Sequence, residues 1–168
     1  MTVSLSGCFD SAPDKVELSN IRPAHVVPKS SPTSFVSTFE QMCLHPLNSG
    51  SAFEPTLRNA SYVPTRRANA RGYRAYIVDD RRPAVLIRER NDHRACAVMA
   101  IARTGQTQRV ANAFPRLFPN AKVASPSLVE GAENVWVEEG VRKRVIFTSR
   151  DQSTTRGAQY RLAVIETK

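Results

Sequence analysis

Between Arg58 and Arg109 the chain carries twelve arginines, at 58, 66, 67, 71, 74, 81, 82, 88, 90, 94, 103 and 109. Only Asp79, Asp80, Glu89 and Asp92 oppose them, so this stretch holds +8 of the formal +9 of the whole 168-residue chain. Arginine outnumbers lysine 19 to 5. Its planar guanidinium suits bidentate contact with a carboxylate or a phosphate, which a lysine ammonium cannot make. A field this concentrated steers a polyanion or an acidic protein surface toward the molecule before any contact forms. Arg66, Arg67, Arg71, Arg74, Arg81 and Arg82 are the candidate contact residues of such a basic face. Tyr62, Tyr73 and Tyr76 are interleaved with them, as a stacking surface for nucleic acid requires. Residues 73 to 76 alternate faces of a strand, however, so aromatics and cations need not share one surface. The expected partner is an acidic protein surface in a larger complex. Nucleic acid, an anionic membrane surface and a merely solvated face are the alternatives.

Other residue types offer less chemistry. Asp79-Asp80 supplies two carboxylates, but neighbours at a strand end point to opposite sides, and a turn balancing Arg81-Arg82 explains them better. His25, His45 and His93 have no cysteine, carboxylate or second histidine at ligand spacing and read as solvent-exposed. There is no Gly-rich phosphate loop, nucleophile elbow, HExxH or dinucleotide fingerprint. Neither a cofactor, a metal site nor an enzymatic activity is therefore expected. Cysteines 8, 43 and 96 are too widely spaced for a metal knuckle. Leu5-Ser6-Gly7-Cys8 has the form of a bacterial lipobox, in which the cysteine would carry a lipid. Only four residues precede it, so either the true start lies upstream or the match is accidental.

These residues must be positioned by one domain with a self-sufficient core, which a chain of this length supports. Residues 1–33 form an extended arm, because Pro13, Pro23, Pro28 and Pro32 interrupt every short apolar piece. Residues 34–168 form the domain. Ser34 is placed as the cap of a first helix whose Phe35, Phe39, Met42 and Cys43 fall on one face, with Pro46 closing it. A loop with one turn around Thr56–Ala60 follows. Pro64 starts a short helix through Arg71, ended by Gly72.

From Tyr73 the period changes to two. Strands are expected at Tyr73–Val78, Ala84–Arg90 and Arg94–Arg103, the last apolar on both faces and so central. Thr104 or Thr107 caps a helix with Val110, Ala111, Phe114, Leu117 and Phe118 on its buried side. Lys122–Ser127, Val135–Glu138, Arg142–Ser149 and Tyr160–Glu166 complete the pattern. The class is α+β, a mainly antiparallel sheet of about five to six strands with two or three helices on one face. No run of apolar residues is long enough to cross a bilayer as a helix, and the start of the chain lacks the form of a signal peptide.

Phe39-x-x-x-Cys43, Arg71-Gly72-Tyr73 and Ala95-Cys96-Ala97-Val98 together resemble a diffuse group of small exported bacterial proteins whose function is not established. The resemblance spans residues 35–167 and implies an exported α+β domain with two neighbouring cysteines and no known activity. Localisation is accordingly expected to be periplasmic or membrane-associated on the exported side, with the cytoplasm as alternative, since this chain lacks a hydrophobic leader. Cys43 on the helix face and Cys96 in the central strand could meet across the interface. A bridge there would stabilise by roughly 3–4 kcal/mol in the chain-entropy model and require an oxidising compartment. Two buried free thiols are the alternative. The chain thus reads as a non-enzymatic accessory or structural subunit, docking through residues 58–109 and its arm, with nucleic-acid binding as the second reading.

Overall fold

In the computed structural model, which describes residues 27–152 and 157–167, the helical layer starts at Ser31. The Ser31 hydroxyl accepts from the Ser34 amide at 3.1 Å. Pro32 takes the first helical position, where its missing N–H costs nothing. The cap therefore lies three residues before the expected Ser34. Helix α1 (Pro32–Phe39) runs without a break through a π turn (Glu40–Leu44) into α2 (His45–Ser49), which ends at Gly50 with φ of 70°. Pro46 does not close this helix. Its ring excludes the carbonyl four residues back and it has no N–H, so the ladder widens: His45 donates to Glu40, five residues back. Phe35, Phe39, Met42 and Cys43 are all buried, as their spacing requires. Helix α3 (Phe53–Asn59) buries Phe53 and Leu57 where a loop with a single turn was expected.

The sheet has eight strands, more than the five to six expected. They are β1 (Val63–Pro64), β2 (Arg74–Ile77), β3 (Ala84–Glu89), β4 (His93–Ile101), β5 (Lys122–Ala124), β6 (Ala132–Glu138), β7 (Lys143–Asp151) and β8 (Gln159–Thr167). Their order is β1-β2-β3-β4-β8-β7-β6-β5, and every neighbouring pair is antiparallel. Two four-stranded meanders thus join along β4 and β8. Helix α4 (Gln106–Leu117) carries the chain from β4 toward the far edge. It is capped by neither Thr104 nor Thr107. Gly105 takes the N-cap position with φ of 86°, and the buried Gln106 side chain accepts from the Arg103 amide at 2.9 Å. Val110 and Phe118 are buried as expected, whereas Ala111 is exposed.

Residues 64 to 71 do not form a helix. Val63 and Pro64 pair with Ile77 and Tyr76 instead, and Thr65 donates from its amide to Ala75 at 2.8 Å. The Asn69 side chain then accepts from the amides of Arg71 and Tyr73, both at 3.0 Å. This local side-chain bonding competes with a helical ladder and builds a turn. Gly72, with φ of 79°, ends that turn rather than a helix.

The helices pack on one face of the sheet, over Val85, Cys96, Val98, Ile146, Leu162 and Val164. Cys43, in the π turn, is bridged to Cys96 of β4 with 5.4 Å between the Cα atoms, and both are fully buried. The opposite face carries a second apolar cluster that includes Leu86, Ala97, Phe147 and Ala163. Val27 packs into that cluster, and the Pro28 carbonyl accepts from Ile101 at 3.0 Å. Residues 1–26 of the expected arm, with Cys8 and its proposed lipid and with His25, lie outside the described residues. No described helix is long and apolar enough to cross a membrane.

Candidate functional site

The arginine run is divided by the fold. Three of its members are neutralised nearby: Arg58 by Glu54 at 2.6 Å, Arg82 by Asp80 at 2.7 Å and Arg94 by Glu89 at 3.1 Å. Arg81 and Arg82 occupy the β2–β3 turn. Arg66, Arg67 and Arg71 occupy the β1–β2 loop, and Arg90 follows the end of β3; all four are exposed. Because Arg74 pairs with Ile87 and Glu89 with Arg94, the β1–β2 loop and the β3–β4 turn share one end of the sheet. The β2–β3 turn is at the other end. Arg74 is exposed and shares the helix-side face with Tyr76. The structure therefore places Arg66, Arg67, Arg71 and Arg90 at one end of the sheet, and Arg81 and Arg82 at the other.

Alternation decides what joins this group. On β3, Val85 and Ile87 face the helices, so Leu86 and Arg88 face away. On β8, Tyr160, Leu162 and Val164 face the helices, so Arg161, Ala163 and Ile165 face away. Arg71, Arg88, Arg90 and Arg161 consequently line one basin of about 940 Å³ on the face opposite the helices. Arg88 donates to the Arg71 carbonyl at 3.0 Å and its guanidinium carbon lies 4.6 Å from the centre of the Tyr73 ring. These contacts hold the β1–β2 loop over the basin's edge. Glu130 and Asp151 line the same basin, so its charge is an excess of cations rather than a pure one.

The basin's cations are only partly compensated within the chain. Among the described residues none of these four arginines is in a salt bridge. The Nε–H groups of Arg88 and Arg161 are buried without a hydrogen-bond partner, an arrangement that costs about 1–3 kcal/mol for each group. Burial, and then the neighbouring Arg71 charge, push the Arg161 guanidinium below its ordinary range.

No protein-family model, curated protein or solved structure matches this chain. Other candidates of the sequence find more ordinary places. Asp80 accepts from the Arg82 amide at 2.8 Å and from its guanidinium at 2.7 Å, the turn expected of the Asp-Asp-Arg-Arg run. His93 is not solvent-exposed as expected: its side chain is 15% exposed, with Nδ1 2.8 Å from Asp92. It opens β4, and the strand's burial reaches it. Among the described residues no cluster of His, Cys, Asp or Glu could hold a metal ion. Glu166, fully buried, accepts from Arg142 at 2.9 Å and from Arg144 at 2.9 Å, a pairing that secures the end of β8.

Arg161 is not among the residues singled out from the sequence, because it stands outside the 58–109 run. One signal does point to it. It is a lone charge within Tyr160–Ile165, on the alternate positions that should face a core.

Proposed function

We propose that this chain is a non-enzymatic accessory subunit that holds an acidic protein partner at one end of its sheet. The contacts are Arg66, Arg67, Arg71 and Arg90. One observation carries the reading: these four exposed cations converge from two adjacent connections while the described acids are engaged elsewhere or outnumbered there. Acidic side chains of a partner complete them, and guanidinium–carboxylate pairs set register and encounter rate. The buried Cys43–Cys96 bridge supports a location in an oxidising compartment, on the exported side of a bacterial cell.

The test is a titration of the whole chain with a fluorescent glutamate-rich peptide and with a single-stranded DNA oligomer, each at low and high salt. The peptide should bind in a strongly salt-dependent manner. Reversing Arg66, Arg67 and Arg71 to glutamate should weaken it roughly tenfold or more, since exposed pairs contribute about 0.2–1 kcal/mol each and repulsion is added. Peptide binding indifferent to salt and to this variant would remove the docking end. Tighter binding of the DNA, with a steep log–log salt slope, would transfer the same arginines to nucleic acid.

A further inference from the structure

The floor of the basin has a shape and chemistry that docking of an acidic surface leaves unused. Register places Ala75, Leu86, Ala97, Ala163 and Phe147 in one row across five strands. All five side chains are on the face opposite the helices. Two alanines in the middle, with the larger Leu86 and Phe147 on either side, make a trough whose bottom is apolar. Arg88 belongs to the row on one side of it, paired with Ala95, and Arg161 to the row on the other, paired with Met99. Both guanidiniums line the basin above this trough. Each keeps a buried Nε–H without a partner.

We propose that the basin is a binding site for a small molecule with an apolar body and a single carboxylate. The body lies over the Ala97–Ala163 row, whose methyls are already largely covered, and against the partly open Tyr73, Val129 and Ile165 side chains of the same lining. The carboxylate accepts from Arg88 and Arg161, whose forked donors match its two oxygens. The arginines on the lining outnumber Glu130 and Asp151, so the basin attracts an anionic head group. The basin is half open, and its volume of about 940 Å³ lies at the upper end of the range of small-ligand clefts. This inference shares Arg71 and Arg90 with the docking end but rests on Arg88, Arg161 and the apolar floor, which that reading does not use.

Calorimetric titration of the full chain with decanoate tests it, with decanol and acetate as the two halves of the guest. Decanoate should bind saturably, one per chain, while decanol and acetate should not. Arg88→Met and Arg161→Met should each weaken decanoate about tenfold to a hundredfold, the worth of a hydrogen bond to a buried charge. In case a variant does not fold, methyl NMR of the wild-type chain locates the guest without any substitution. The Ala97 and Ala163 methyl signals should move on titration while that of Val110, on α4, should not. Absence of saturable binding, equal affinity for decanol, or shifts that spare both alanines would overturn the proposal. Decanoate binding without glutamate-peptide binding would leave it standing and remove only the docking reading. The opposite pair of results would do the reverse.

Discussion

At the scale of the residue, the fold distributes its polar groups unevenly. Tyr62 is buried, donates its hydroxyl to the Pro83 carbonyl at 3.0 Å and lies under the Arg82 guanidinium, 4.9 Å from its ring centre. Burial pushes its ionisation up to about 12, opposed in part by the Arg82 charge. An unfolded tyrosine ionises near pH 10, so this neutral phenol stabilises the fold fully below about pH 10 and progressively less as pH rises toward about 12. Tyr62→Phe should cost about 1 kcal/mol near neutrality through the lost hydrogen bond. The gap between wild type and variant in urea unfolding should close as the solution becomes alkaline. A gap that stays constant across that range would show that Tyr62 ionises as freely in the native state as in the unfolded chain. Little of this is legible in the sequence. There Tyr62 stands among arginines, which suggests a stacking surface, whereas its depth beneath Pro83 depends on the β1–β2 pairing. The same limit applies to Arg161, whose charge is visible in the sequence but whose meeting with Arg71 and Arg88 requires four strands to be in register.

Periodicity governs the scale of the element, and here more can be read. The 3.6-residue spacing from Phe35 to Cys43 locates the first helix and its buried face, and alternation locates the β3, β4, β7 and β8 strands within a few residues. It fails where proline acts by exclusion rather than by ending a segment. Pro46 is expected to stop a helix and instead widens it into a π turn; Pro64 is expected to start one and instead pairs with Tyr76. The π turn presents Cys43 to β4, so the bridge fastens the helical layer to the middle of the sheet. Closing a separation of 53 residues restricts the unfolded chain, worth about 4 kcal/mol in the chain-entropy model. Replacing Cys43 and Cys96 together by alanine should lower the urea midpoint accordingly and steepen the slope, because the freed unfolded chain exposes more surface. An unaltered midpoint would mean that packing alone holds the two layers together.

Viewed as a whole molecule, the two meanders are hydrogen-bonded into one sheet where β4 pairs with β8 over nine residue positions. That seam is not legible in the sequence, because local alternation marks a strand without naming its partner. It makes one cooperative unit of two halves, each of which would otherwise expose a long unpaired edge. Trp136, the single tryptophan, sits in β6 against Phe114, with 4.2 Å between ring centres. Its fluorescence therefore reports the second half, whereas circular dichroism reports both. The two transitions should coincide in urea. Separate midpoints would show that the halves unfold independently and that the seam contributes little.

The position of β8 also governs when the protein can be finished. Every other strand precedes it, so on the ribosome β1 to β4 emerge with the edge of β4 unsealed, and β5 to β7 follow with an edge of their own. The sheet cannot close until Thr167 has left the exit tunnel. Until then each half of the sheet carries one strand edge that still awaits its neighbour.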